Sequence, residues 1–550
     1  MPLKKILRKL FIVLTVIAVL IFGAQLLLTH YLNSKIKSDI EDEVIKQSDG
    51  NYHLSIKKVK VNLFTRSIII TGIQLIPDKE KRDLFEPVYY LSATELNFSG
   101  FDLIPLIKNR ELMIDKMKLS NLAAGIYRAE KFRNSDENKS TKQITLYGLI
   151  KKQLQLLSIK TIEISNADIK IYDHVTDTKP SLNSNDNNIT VIDFKIDKTA
   201  DEHKRFFLAR KFEVIINNFS YITNDSLYAL QVEKVTASYT DSLLCLDEVK
   251  LIPNYSKNQF GDAAGKQTDR LKISVSKTCF NQIDVKLFFE RGWMVAKLLE
   301  LDSVSINAYR DKNDERSKKR VKSVQQMIKA IPFFIAIDTL KLNNGNVFYE
   351  ELSKGSTKSG KIFLHILNAD ISGLNNDSMM NEHEGKLILK ATALIMGKGK
   401  LEAQYTFPLN TDKTIFDCSG RLSRFQLKEL NGITENSANV SIKNGEIESM
   451  TFSFHANDVF AKGKMKLIYH DLKIEVLNKD HEKTGLLEKV ETALAHALII
   501  KENNPSGKEP IREAEIFYSR DPNRFIFNYS IKSLLSGIKS TLGLKVNSKK

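Results

Sequence analysis

Hydrophobic residues are arranged in three different ways near the start of the chain. Leu10–Leu28 (LFIVLTVIAVLIFGAQLLL) is an apolar run of 19 residues without a charge. As a helix rising ~1.5 Å per residue it would span ~28 Å, close to the ~30 Å hydrocarbon core of a bilayer. Leu32, Ile36, Ile40 and Val44 then recur at every fourth position, which predicts an amphipathic helix ended by Ser48-Asp49-Gly50-Asn51. From Leu54 the period drops to two. Val59, Val61 and Leu63 alternate with Lys58, Lys60 and Asn62; after a turn at Thr65-Arg66 come Ile68 and Ile70, then Ile73 and Leu75. This predicts short antiparallel strands with one apolar face.

The pattern returns. Residues 54–78 align without a gap on 230–254, with six of 25 pairs identical. Ser92, Phe98, Asp102, Leu119, Tyr127 and Arg128 then match Ser274, Phe280, Asp284, Leu301, Tyr309 and Arg310 at a second constant offset. Residues 51–131 and 229–311 therefore read as two copies of one β module, with a connecting region at 132–228. A shorter phrase recurs as IDKMKLSN (114–121), IKTIEISN (159–166) and IDTLKLNN (337–344), followed by Tyr127, Tyr172 or Tyr349. Alternating Ile and Leu ending in Asn predicts a strand leading into a tight turn, because Asn tolerates left-handed backbone. Apolar helical stretches are predicted around Leu146–Leu157 and Val321–Ile331, with loops at 132–143 and 311–320.

From 333 to 478 the pattern is almost wholly strand. Residues 479–550 differ: Leu486, Leu487, Val490, Leu494 and Leu498 predict a helix, Asn504-Pro505 breaks it, and the strand-like IREAEIFYSR follows. The last helix places Ile531, Leu534, Leu535, Ile538 and Leu542 on one face, flanked by Lys532, Lys539 and Lys545. It suits either an interface with a membrane, lysines towards phosphates, or a cap over the open edge of a sheet. Roughly 20–25 strands are expected; stacked at ~4.8 Å they would make a sheet ~100–120 Å long. The fold class is mainly β, an elongated antiparallel sheet with short helices.

Charge gives a direction to the first apolar run. Lys4, Lys5, Arg8 and Lys9 precede it, whereas Lys35 and Lys37 beyond it are offset by Asp39, Glu41, Asp42 and Glu43. The N-terminus is therefore expected in the cytoplasm and the rest across the membrane. A cleaved signal peptide has an apolar region of ~7–15 residues and a small-x-small site; Leu10–Leu28 has neither, so it reads as an uncleaved, single-pass signal anchor. Hydrophobic residues at 42% and charged residues at 27% describe a folded chain. The net charge of +16 favours anionic surfaces, phospholipid headgroups or nucleic acid, and the topology sets nucleic acid aside. Cys245, Cys279 and Cys418 offer no metal spacing and no disulfide framework; a single Cys245–Cys279 bridge stays open.

Catalytic patterns are poor. GDAAGKQ (261–267) has only three residues between Gly261 and Gly265 and no Ser or Thr directly after Lys266, so Gly261–Thr268 is expected to bind no nucleotide. His383-Glu384 lacks the second histidine of a zinc helix, and no Gly-x-Ser-x-Gly elbow occurs. No catalytic residue, cofactor or metal is expected, and the chain is not read as an enzyme.

The segment SIKKVKVNLFTRSIIITGIQL after an anchor and a short helix resembles the start of AsmA-like proteins of Gram-negative envelopes. IDKMKLSNLAAGIYR is similar to the end of that family's repeated module, and GKMKLIYHDLKIEVLNK with the ending from Asn504 to Leu544 looks like the C-terminal region of its large intermembrane-transport members. The resemblance implies an inner-membrane-anchored periplasmic protein whose long β-sheet curls into a groove with an apolar inside. It also implies phospholipid movement between inner and outer membranes, with membrane phospholipids and outer-membrane or envelope proteins as partners. Val59, Val61, Ile68 and Ile70 of the first copy, with Val235, Leu244 and Leu246 of the second, are the expected lipid-facing residues. The alternative reading is a scaffold or chaperone for outer-membrane protein assembly, whose strand edges pair with client strands.

Overall fold

The computed structural model describes residues 32–62, 65–78, 88–127, 154–174, 177–198, 211–315, 320–377, 385–477 and 500–544. The expectations for Leu10–Leu28 and for the helix at Leu486–Leu498 lie outside them. Among the described residues no helix is long and apolar enough to cross a membrane. The fold is mainly β, with 21 strands among the described residues. The chain forms two compact units, one mostly of residues up to Thr223 and the other mostly of residues from Val249 onward.

In the first unit a helix, α1 (Leu32–Gln47), leads into β1 (Tyr52–Asn62). Ile40 and Val44 of its apolar stripe are buried, and Glu41 accepts the Ile56 backbone N–H at 2.7 Å, so the helix lies against β1. β2 (Ser67–Pro77) pairs antiparallel with β1, setting Val59 opposite Ile70 and Val61 opposite Ile68. The predicted turn is present, with Arg66 left-handed at φ 48°. Buried residues on these strands are not strictly alternate: Ile56 is followed by Val59, and Ile70 by Ile73. A left-handed residue resolves the mismatch. Gly72 is left-handed (φ +64°), and a Cβ there would lie 2.6 Å from that of Lys57. The register is the same on either side of it, Ile56 opposite Ile73 and Lys58 opposite Thr71, and the left-handed backbone keeps Ile56, Val59, Ile70 and Ile73 buried together, which a regular strand would not do.

β3 (Val88–Ser99) follows β2 in the sheet, then a short helix, α2 (Leu103–Asn109), whose first turn is capped by Asp102 accepting Ile104 N–H at 3.2 Å. β4 (Glu111–Ser120) and β5 (Ala123–Tyr127) lie in line, both antiparallel to β3 and parallel to β6 (Leu156–Tyr172). β7 (Leu182–Asp197) and β8 (Lys211–Ile222) complete an antiparallel run. Leu156 and Leu157, expected at the end of a helix, open β6 instead. Leu157 sits between Leu112 and Ile196 on neighbouring strands and is fully buried; an apolar run on a buried parallel strand lacks the alternation that would separate it from a helix.

The recurring asparagines are also placed differently from the expectation. Asn121 and Asn166 are left-handed, at φ 53° and 52°, but Asn166 lies within β6 and Asn121 between two strands that continue along it. Each is a bulge residue rather than a turn. The Asn166 amide donates to Asn121 Oδ1 at 3.2 Å, and the Asn121 amide to Thr94 Oγ1 at 2.9 Å, so the bulges line up across the strands.

After β9 (Tyr228–Ser238) and β10 (Leu243–Pro253), β11 (Arg270–Ile283), a helix α3 (Val285–Arg291) and β12 (Met294–Asp311) repeat this order. β12 pairs antiparallel with β11 and parallel with β13 (Ile335–Leu352), and β13 pairs with β14 (Ser359–Asn375). Left-handed residues fall at corresponding places: Arg66 and Ser242, Gly72 and Glu248, Gly100 and Gln282, Asn121 and Ser303, Asn166 and Asn344, Asp193 and Gly373. Asp102 and Asp284, identical in the alignment, cap corresponding helices. The correspondence thus extends beyond 51–131 and 229–311, from β1–β8 to β9 through β15 (Lys386–Ile395).

The second unit continues antiparallel through β16 (Gly399–Pro408), β17 (Phe416–Leu422), the short β18 (Phe425–Gln426), β19 (Val440–Ala456), β20 (Phe460–Val476) and β21 (Glu513–Ser519). A helix, α4 (Asn431–Ala438), packs on both β14 and β19, so the strands between them bend back on themselves within this unit. Gly360 on β14 is required there: a Cβ would fall 2.2 Å from Ser437 Oγ and 2.8 Å from Ile433.

The crossover from β12 to β13 carries the predicted helical stretch as α5 (Val324–Lys329), opened by a capping box of Ser323 and Gln326. This strap reaches the opposite strands. Arg320 meets Asp458, Val321 N–H donates to Pro522 O at 2.9 Å, Gln325 to Ile415 O at 2.7 Å and Lys329 to Asp412 at 2.7 Å. Ile328 is buried in the apolar cluster with Leu387, Phe407 and Phe416.

Cys245 and Cys279 are disulfide-bonded, while Cys418 is free and buried. Burial pushes the Cys418 thiol up to about 12, despite a hydrogen bond with Tyr405 that works the other way. It is therefore protonated and inert at neutral pH. A thiol reagent should leave the folded, unreduced protein unlabelled and add to one cysteine on unfolding. Rapid labelling before unfolding, followed by mass spectrometry, would contradict this.

Candidate functional site: the apolar face of the strands

The left-handed residues have one collective effect: they keep apolar side chains on one face of each ladder even where their spacing changes from two to three. In the first unit that face is closed. Val59, Ile68 and Ile70 are buried at 0–1% exposure, with Leu96, Phe98, Met117, Leu119 and Ile162 beside them. Val61 is half-buried, as are Val235, Leu244 and Leu246 of the second copy. Of the seven residues expected to face a lipid, the β1–β2 ladder brings Val59, Val61, Ile68 and Ile70 together on one face.

The second unit differs at matching positions. Ile162, Ile164 and Val191 are buried in the first copy; their counterparts Leu340, Leu342 and Ile371 are half-exposed. Leu340 pairs with Ile371 and Val347 with Leu364, so these residues form one apolar surface across β13 and β14, continued by Ile306 opposite Val347 on β12. The sequence showed the break in alternation, though not which copy leaves its apolar face open. Ile337 and Leu340 repeat the three-residue interval of Ile159 and Ile162, and the left-handed Gly373 and Asp193 fall on the strands paired with them.

At its rim the surface ends in charge. Arg310 pairs with Asp269 at 2.5 Å, Lys312 with Glu351 at 2.5 Å, and Tyr349 O–H donates to Glu351 at 2.9 Å. Burial and the Glu351 carboxylate both push the Tyr349 phenol upward, so it stays a donor.

The final helix, α6 (Ile526–Thr541), packs on β20 and β21. It does so through small residues: Ser533, Ser536, Gly537 and Thr541 are buried, and a Cβ on Gly537 would sit 2.8 Å from Ile516. Ser536 Oγ accepts the Phe517 N–H of β21 at 3.1 Å. Leu534, Ile538 and Leu542 are partly buried against the same cluster, whereas Ile531 and Leu535 are 56% and 39% exposed, in line with Phe527 at 57%. The predicted stripe is thus divided between the sheet and solvent. The helix covers β20 and β21 and keeps an apolar ridge of Phe527, Ile531 and Leu535 outside.

Around Gly261 the backbone forms a five-residue helical turn, Phe260–Ala264, and the Lys266 N–H bonds back to Gly261 O at 3.2 Å. The Asp314 carboxylate lies where a Cβ on Gly261 would stand. Burial and the neighbouring Asp311 and Asp262 raise the Asp314 carboxyl above its usual range. Among the described residues no group of His, Cys, Asp and Glu is arranged to hold a metal ion.

No family model and no curated protein matches the chain.

Proposed function

We propose that this is an AsmA-like protein of the inner membrane, held by Leu10–Leu28 with the bulk of the chain in the periplasm. In this reading it carries phospholipid between inner and outer membranes along an apolar β-groove. The observation that supports it most is the half-exposed apolar surface of Ile306, Leu340, Leu342, Val347, Leu364 and Ile371, since the counterparts of Leu340, Leu342 and Ile371 are buried in the first copy. Exposing two acyl chains to water costs ~0.8 kcal/mol per CH₂, so ~20 kcal/mol or more for ordinary tails. A one-sided apolar surface lowers that barrier without a catalytic group. Disulfide bonding of Cys245 and Cys279 supports an oxidising compartment. The scaffold reading is less favoured, because α6 covers β21 and bonds to its backbone rather than leaving it open to a client strand.

Side chains alternate across a strand, which gives a one-residue test. A photo-reactive side chain at Leu342, on the apolar face, should capture phospholipid in cells; one at the exposed neighbour Lys341 should not. Equal capture at both sites, or none at Leu342, would sink the groove.

A further inference from the structure

α1 and α2 converge on one end of the first unit. α1 returns along β1: Ser48 Oγ accepts the Tyr52 N–H, and Glu41 accepts the Ile56 N–H. Its 16 residues, ~24 Å of helix, therefore carry Leu32 toward the Asn62 end of β1. Asn62 pairs with Ser67, and Ser67 with Ser99, so the same end holds the close of β3 and, directly after it, α2. On α2, Ile104 and Ile107 are 65% and 66% exposed, more than any other large apolar side chain of this unit among the described residues. They lie three apart, on one side of the helix. Lys108, Arg110 and, at the β1–β2 turn, Arg66 are exposed at the same end, with Asp102 and Glu111 only partly exposed.

Chain length fixes what lies opposite. Leu28 and Leu32 are four residues apart, at most ~14 Å of fully extended chain. If Leu10–Leu28 spans a bilayer, α1 starts within that distance of its surface. In the second copy the counterpart of Ile104 is Lys286, so the apolar pair is not a requirement of the repeated fold.

We propose that Ile104 and Ile107 form a foot that seats the first unit on the same bilayer that Leu10–Leu28 enters, with Arg66, Lys108 and Arg110 meeting its anionic headgroups. This rests on the reading of Leu10–Leu28 as the anchor, not on lipid transport. The foot would fix the tilt of the strands over the membrane, which a single flexible tether would not.

The test uses the full chain in proteoliposomes of phosphatidylethanolamine and phosphatidylglycerol, with a photo-reactive side chain placed in turn at Leu20, Ile107 and Ile222. Ile222 is an apolar control, 45% exposed at the opposite end of the strands, beside the Leu182–Tyr221 pair. Lipid adducts are expected at Leu20 and Ile107, with Ile107 about tenfold above Ile222. Labelling at Leu20 with Ile107 no higher than Ile222 would overturn the foot and leave the anchor standing. Absence of label at Leu20 would overturn the anchor, and the foot with it.

Discussion

Replacing Asp458 with asparagine should destabilise the second unit by about 2–4 kcal/mol, because it strands a buried cation. Asp458 Oδ1 receives Arg320 from the strap and Arg520 from the end of β21, each at 2.5 Å, and the Thr414 N–H at 3.3 Å. The Arg520 side chain is only 4% exposed. Burial works against ionisation of Asp458, but the Thr414 hydrogen bonds and the two guanidinium charges outweigh it, so its carboxyl titrates below the usual range. The sign of the pH effect follows. A depressed carboxyl contributes its full stability above the ordinary value and loses it as pH falls below about 4. Denaturant titrations should therefore show the gap between wild type and Asp458→Asn closing in that acid window. Amide exchange at Val321 should quicken in the variant, since its bond to Pro522 depends on the strap being held. An unchanged midpoint at neutral pH would mean that Arg520 finds another partner or water.

Phe416→Ala should cost about 3–5 kcal/mol, the range for emptying a fully buried aromatic site. Phe416 is 0% exposed, and the rings of Tyr405, Phe407, Phe454 and Tyr529 surround it at centroid distances of 5.7–6.0 Å. Tyr529 belongs to α6, so the cavity should also loosen the helix. Limited proteolysis should cut within residues 526–541 before the strands unfold. A loss under 1 kcal/mol, read by urea denaturation, would show that the neighbouring rings collapse into the space.

Periodicity carried the coarse fold. The fourfold spacing of Ile40 and Val44, the turn at Thr65-Arg66 and the duplication of 54–78 at 230–254 were all readable, because one face of each element must meet the core. Bulges were hidden because a left-handed Asn or Gly looks the same in a turn and in the middle of a strand; Asn166 and Asn344 needed their neighbours' hydrogen bonds to be placed. The docking face of α6 was hidden for a different reason. Hydrophobic patterning points to Leu and Ile, but close approach to β20 and β21 selects Ser533, Ser536 and Gly537 for their size. Exposure of Leu340 and Leu342 was equally beyond the sequence, since Ile162 and Ile164 have the same character and are buried.

From β1 to β8 a strictly alternating ladder, with β4 and β5 sharing one position, would return the last strand to the heading of the first. The single parallel pairing with β6 inverts that parity, so β8 runs against β1. Seven strand positions therefore end in the heading opposite to the one in which they began. The order from β9 to β15 includes the same parallel pairing, between β12 and β13. Such a block can be duplicated or deleted in tandem without rewiring either rim, so growth in this architecture is quantised in whole blocks.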